Sequence, residues 1–281
     1  MTDLSRYTTL GTGGPALAFA QPETVAEVEE VLRRGMPVAT VGLGSNLLVA
    51  DAGVDALVLK LGGELASVDV DGDVVRAGGG AANAVVLHRV RAAGLGGFEF
   101  ACAIPGTVGG GVWMNGGAYG VDFSQVLVRA LVATADGTGW LMPEELGLSY
   151  RRSNLRHGQV VLQVELRLRP RPPAEIKAVV RELNAERKAA QPTNRRTFGS
   201  VFKNPEHELS AGRMLEACGL KGHRIGGAQI SPKHANFIEN AGGARTEDAL
   251  ALMAEARRRA REQFGVELVH EVELLGDIAV E

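Results

Sequence analysis

Residues 104–120 read IPGTVGGGVWMNGGAYG, with seven glycines in seventeen positions. Ordering that many glycines costs backbone entropy that a plain connector has no reason to supply, so the stretch is expected to pass close to a ligand or another backbone. A turn feeding a short helix at Thr107 would aim unpaired amides outward at a diphosphate. Close packing through Gly109, Gly110 and Gly111 is the alternative, and the residues alone leave both open.

Glycine is enriched throughout, 37 of 281 residues, against an ordinary share of about 7%. A second turn of this kind, VGLGSNLLV at 41–49, follows an apolar segment. Gly42 and Gly44 let amides approach an anion, and Ser45 and Asn46 add donors suited to phosphate oxygens. Leu47 stands where a dinucleotide fingerprint needs its third glycine, and no Gly-Lys-Ser/Thr follows, so this is neither a Rossmann motif nor a P-loop. A plain structural turn is the alternative.

Apolar periodicity predicts helices at 23–35, 81–93, 174–189, 210–218 and 246–264. Strands are expected at 37–41, 56–61, 125–134, 160–168 and 267–275, with a hairpin over 67–77. In the last strand, alternation puts Val269, Glu271 and Glu273 on one face and Leu268, His270, Val272 and Leu274 on the other. That face is either a solvated acidic edge or a pair of working carboxylates. The RPRPP run at 169–173 cannot continue a sheet ladder. We therefore expect a domain at 1–170, made of subdomains 1–62 and 63–170, and a second domain at 171–281.

Charge narrows the function classes. Thirty basic residues against 33 acidic ones, net -3, is not the footprint of a nucleic-acid binder. No apolar run reaches the roughly 18 residues of a membrane span, and the first residues lack a secretion signal, so a cytoplasmic protein is expected. Cys102 and Cys218 have no metal-ligand or disulfide spacing, so no metal is expected. Small molecules are the expected partners.

Two further segments carry chemistry. In LSYRRS at 148–153, Arg151 or Arg152 would stabilise developing negative charge, unless it is a solvated surface arginine. In FGSVFKNP at 198–205, Ser200 lacks the GxSxG setting of a hydrolase but can serve as a proton donor. Lys203 and Asn204 either bind a polar substrate group or start a turn before Pro205.

In order and separation, GLGSNLLVADAGV, IPGTVGGGVWMNGGAYG, SYRRSNLR, FGSVFKNP and HEVELLG resemble the UDP-N-acetylenolpyruvoylglucosamine reductase family, from residue 7 through residue 271. The resemblance implies an α+β chain: an FAD-binding domain of the vanillyl-alcohol-oxidase (PCMH) type, then a smaller α/β substrate-binding domain whose C-terminal strand is free to rejoin the first. It implies that Gly42, Leu43, Gly44, Ser45 and Asn46, with Pro105, Gly106, Thr107, Gly109, Gly110, Asn115, Gly117 and Ala118, wrap the FAD diphosphate. Residues 41–54 hold no His or Cys for a flavin linkage, so non-covalent FAD is expected.

The same resemblance implies NADPH as co-substrate and reduction of UDP-N-acetylglucosamine enolpyruvate to UDP-N-acetylmuramate for peptidoglycan, with its consequences for cell shape and division. By motif match Ser200 is the proton donor, and Arg151 and Glu271 lie beside the enolpyruvyl carboxylate, with Tyr150 accompanying Arg151. Longer members carry a loop whose tyrosine closes over the substrate. This chain has no tyrosine between 150 and 200 and resembles the shorter, second type, leaving Lys203, Asn204, Arg213, Gln229, Lys233 and Asn236 as candidate uridine diphosphate donors. A monomer is expected. An FAD oxidase of the same superfamily and a flavin-binding protein without turnover are the alternatives.

Overall fold

Alternating apolar residues and glycine-marked turns build an antiparallel sheet in the middle of the chain. The computed structural model describes residues 1–279. Its contacts divide the chain into two compact units, one of residues 1–17, 44–55 and 187–281, the other of residues 18–43 and 56–186.

In the second unit, five antiparallel strands lie in the order Gly137–Leu141, Leu127–Thr134, Val160–Arg167, Val74–Gly78, Val68–Asp71. The sheet buries Val75, Ala77, Val164 and Leu166 in one core with Phe98, Phe100 and Phe123, whose rings meet edge to face. Helix Asn83–Ala92 adds Val86, Leu87 and Val90 to that core. Helix Val25–Arg33 is capped by Thr24, whose Oγ1 accepts from the Glu27 amide at 3.3 Å. Its Val28 and Leu32 help close a separate core around Leu57, Leu59 and Leu162, as a 3.6-residue apolar period requires. Strand Val38–Thr40 pairs in parallel with residues 57–59.

The other sheet face carries charge. Register places Asp69, Arg76, Glu165 and Arg129 in one row across four strands, alternating in sign. Glu165 is 7% exposed and accepts from Arg129 Nε at 2.6 Å and Arg76 Nε at 3.3 Å, while the Arg129 guanidinium lies 4.1 Å over the Trp140 ring. The hydrogen bond from Arg129, with Arg76 adding, holds the Glu165 carboxyl below its ordinary range. A carboxylate stabilised this way contributes above its unfolded pKa and loses that contribution as pH falls through its folded one. Glu165→Gln is therefore expected to cost about 1–2 kcal/mol at pH 7, discounted for the half-exposed arginines. Urea melts of both proteins should draw together as pH falls from the ordinary carboxylate range through the lowered folded value; a gap independent of pH would remove the charge argument.

In the first unit, strands Thr197–Ser200, Phe237–Asn240, Ala228–Ile230 and Arg224–Ile225 form an antiparallel sheet in that order. Helices Ala211–Ala217 and Thr246–Phe264 bury Met214, Leu215, Ala249, Leu252, Met253 and Ala256 with Phe198, Phe202 and Ile238. Asp51 caps the long helix from outside it, accepting from the Thr246 and Glu247 amides, both at 3.0 Å.

Two expectations change. The units do not follow a single cut after residue 170: Arg169–Pro170 pairs with Leu95–Gly96, and helix Pro173–Ala190 packs Val180 onto the central core. The C-terminal strand is also shorter than 267–275, being only Glu273–Leu275, parallel to Leu47–Val49. Leu268, Val272 and Leu275 are the buried residues there. Their spacing of four and three is not the period of a strand, so the two-faced alternation does not form.

Candidate active site

The two glycine segments meet in the second unit. A Cβ on Gly42 would lie 2.7 Å from Thr107 Oγ1, so only a bare backbone lets residues 41–43 lie against residue 107. Among the described residues the amides of Gly42, Leu43, Gly106 and Thr107 have no protein acceptor. Four amides without a protein acceptor on two touching loops suit an anionic ligand, and the phosphates of FAD fit them.

The expectation for the helix at Thr107 is corrected. Helix Val108–Trp113 does not present unpaired amides: Val108 donates to Ala81 O at 2.9 Å, Gly109 to Gly79 O at 2.9 Å, and Gly110 to Thr107 Oγ1 at 3.3 Å. Close packing explains Gly109 and Gly111, whose added Cβ atoms would press on the Gly79 backbone and the Phe123 ring. The open donors lie just before the helix. Residues 79–81 supply the carbonyls that displace them, and sequence reasoning missed this partner, although GGG at 78–80 was the visible signal.

Asn115 is buried at 1% exposure with φ +44°. Its Nδ2 donates to Ser149 O at 3.0 Å and its Oδ1 accepts from the Ser124 amide at 3.0 Å. Its amide thus ties the loop to 149–151, where the resemblance had it touch the cofactor. Gly117 and Ala118 form a two-residue strand against Val121–Asp122. The Gly117 carbonyl accepts from Arg151 at 2.6 Å. Arg151 has φ +53°, an uncommon conformation for a non-glycine residue and a mark of functional sites. Its guanidinium is 5.1 Å from the Tyr150 ring. Arg152 is exposed, so of the two arginines it is Arg151 that the structure ties to the glycine loop. Pro105 is exposed and precedes the open Gly106 amide.

In the first unit, Ser200 ends strand Thr197–Ser200, opposite Phe237, after Gly199 at φ +85°. The next residues run beside 269–271: the Glu271 amide donates to Val201 O at 2.8 Å and the Lys203 amide to Val269 O at 2.9 Å. Ser200 and Glu271 are therefore neighbours through backbone pairing, and both are half-buried. Asn46 locks the same segment, its Nδ2 donating to Glu271 O at 3.0 Å and its own carbonyl accepting from the Glu273 amide at 3.0 Å. This braces the segment beside the turn. Burial pushes His270 below its ordinary pKa, with Arg257 and Lys203 adding and Glu273 opposing.

Gly44 turns at φ +63°, and a Cβ there would collide with the Tyr7 carbonyl. Its own carbonyl accepts from the Thr9 amide at 3.0 Å and from Thr9 Oγ1 at 3.1 Å. Ser45 presents its carbonyl 3.4 Å from where a Gly199 Cβ would stand. The residues around Thr9 support this turn, a role that nothing in the sequence near them announces.

The candidate diphosphate donors lie on several elements of the first unit. Buried Asn236 accepts from the Phe202 amide at 2.9 Å and donates to Phe202 O at 2.8 Å, replacing a strand partner. Asn204 Oδ1 accepts from the Ala211 amide at 3.1 Å, at the start of helix Ala211–Ala217. Gln229 Nε2 donates to Gly222 O at 3.0 Å, and Lys233 Nζ to the Lys188 carbonyl. Arg213 is exposed beside Glu216, and Lys203 is half-buried.

Two touching loops of open amides in one unit, and a second unit bearing a serine, suit a protein that binds a phosphate-bearing cofactor and a second ligand. Residues 16–140 match the FAD binding domain family, and residues 191–275 match the C-terminal domain of UDP-N-acetylenolpyruvoylglucosamine reductase. UDP-N-acetylenolpyruvoylglucosamine reductase 2 of Symbiobacterium thermophilum is 44% identical over 97% of this chain and 90% of its own length. The corresponding reductase of Bacillus licheniformis is 41% identical over 98% and 92%. The crystal structure of the Thermus caldophilus reductase (MurB) superposes with a TM-score of 0.86 at 38% identity, over 98% of this chain and 97% of that one. The chain belongs to the UDP-N-acetylenolpyruvoylglucosamine reductase family, and its fold is the α+β arrangement expected, with an FAD-binding domain.

Proposed function

We propose that this chain reduces UDP-N-acetylglucosamine enolpyruvate to UDP-N-acetylmuramate with NADPH and non-covalent FAD, a step of peptidoglycan synthesis. The carrying observation is the near full-length likeness to reductases of that name, with open amides where FAD phosphates are needed. Bound FAD supplies the hydride relay from NADPH to the vinyl carbon of the substrate. The residues of this chain do the rest.

Hydride arrival at C3 pushes negative charge onto C2 and the carboxylate. In this reading Arg151 stabilises that charge: its guanidinium cannot deprotonate, and the bond to Gly117 O fixes its direction. Ser200 delivers the proton to C2, because an enolate is basic enough to take a serine proton. Glu271 assists when protonated or paired with a cation, since a bare carboxylate would repel the developing charge. We assign Tyr150 and Lys203 to the substrate, with Arg213, Gln229 and Lys233 as further donors to its diphosphate. Gly42, Leu43, Gly106 and Thr107 are assigned to FAD, the unit that holds residues 56–186 to the cofactor and the unit that holds residues 187–279 to the substrate.

We further propose a cytoplasmic monomer whose product supports cell shape and division. The described residues hold no helix long and apolar enough to cross a membrane and no cluster of metal ligands.

An anaerobic visible spectrum tests the activity. One equivalent of NADPH should bleach the flavin band, and the enolpyruvyl substrate should restore it. Bleaching without restoration would keep the flavin and reject the substrate.

A further inference from the structure

We infer that Lys60 is a positioning residue for the FAD diphosphate, acting through the peptide between Gly42 and Leu43; this rests on the cofactor assignment above. Lys60 directly follows strand Val54–Leu59, and its backbone amide is held by Ala20 O at 3.0 Å. Its half-buried Nζ donates to the Gly42 carbonyl at 3.0 Å. That carbonyl shares one peptide unit with the Leu43 N–H, which among the described residues has no protein acceptor, and the Gly42 N–H one residue earlier is likewise open. The neighbouring strand residue fixes the register, because the Val41 amide donates to Leu59 O at 2.8 Å.

Two physical consequences follow. An ammonium on the carbonyl oxygen polarises the peptide and makes its N–H a stronger donor, as chained hydrogen bonds do. Its charge also lies behind a row of amides that meets an anion, where a fixed cation adds attraction less screened than at the open surface. A neutral donor at residue 60 would hold the Gly42 carbonyl but supply neither effect in full. The mere presence of a tie is thereby separable from the charge.

The test removes FAD from the purified protein and titrates it back onto wild type, K60R, K60Q and K60M at two salt concentrations, following flavin fluorescence. Inorganic pyrophosphate serves as a competing probe, and the melting temperature of each apoprotein is recorded. We expect K60R to bind FAD nearly as wild type, and K60Q and K60M to raise Kd by about tenfold or more, with a flatter salt dependence and weaker pyrophosphate competition. K60Q keeps a donor for Gly42 O, so its loss reads the charge even if K60M folds poorly. Unchanged Kd and salt slope in K60Q, with only the apoprotein melting temperature moved, would overturn the inference and leave Lys60 a structural tie. Wild type that takes up no FAD would instead defeat the cofactor reading itself.

Discussion

Ser200→Ala leaves bleaching of the flavin by NADPH intact and slows its reoxidation by the enolpyruvyl substrate by roughly 10²–10⁴-fold, the range of a positioned general acid. The two half-reactions separate because hydride transfer from NADPH involves no proton at C2. Little structural damage is expected from the change. Ser200 is half-buried at the end of its strand, and its pairing with Phe237 is a backbone matter, as are the bonds from residues 201–203 to 269–271. Alanine keeps all of these. Rapid-mixing absorbance measures each half-reaction on its own, and a solvent isotope effect on reoxidation should rise in the variant as proton delivery becomes limiting. Equal rates for wild type and variant would remove Ser200 from the proton path. A parallel loss in both half-reactions would point to disturbed flavin binding.

The pairing that places Ser200 beside Glu271 was only partly legible in the sequence. Both residues stand out by motif, 71 positions apart. What joins them is a backbone ladder through Val201 and Lys203, braced by Asn236 and Asn46 side chains acting as strand partners. No local pattern announces that an asparagine will do this. Helices were legible because their apolar faces repeat within one segment, and 246–264 was expected with the bounds that form. Residues 104–120 show the opposite case. Their glycine content correctly marked a close approach, yet which amides remain open depends on carbonyls at 79 and 81, contacts that a window around residue 107 does not contain. The division of the chain was least legible, since residues 44–55 join 187–281 in one unit through pairing such as Leu47–Val49 with Glu273–Leu275.

Gly44→Ala is expected to lower stability by about 3 kcal/mol, summing αL strain of roughly 1–2 and overpacking of roughly 1–3. At about 3 °C per kcal/mol this is a fall in Tm of about 9 °C. The strain comes from φ +63°; the overpacking comes from the Tyr7 carbonyl and from Thr8 Cα, 2.8 Å from the new Cβ. Gly35 supplies the control within the same molecule. It has φ +68°, and a Cβ there meets nothing within 4 Å, so Gly35→Ala carries the strain without the collision and should cost about 1–2 kcal/mol. The difference between the two variants reads the packing of residues 7–9 on the turn. Flavin content should divide them further, because pushing Tyr7 and Thr9 away releases the Gly44 carbonyl from its two donors and loosens the turn that carries Gly42 and Leu43. Gly35 ends a helix turn and should keep its flavin. Equal Tm losses and equal flavin content in the two variants would show that the amino-terminal segment does not hold the turn, and that the backbone conformation of residue 44 is set by the chain that follows it.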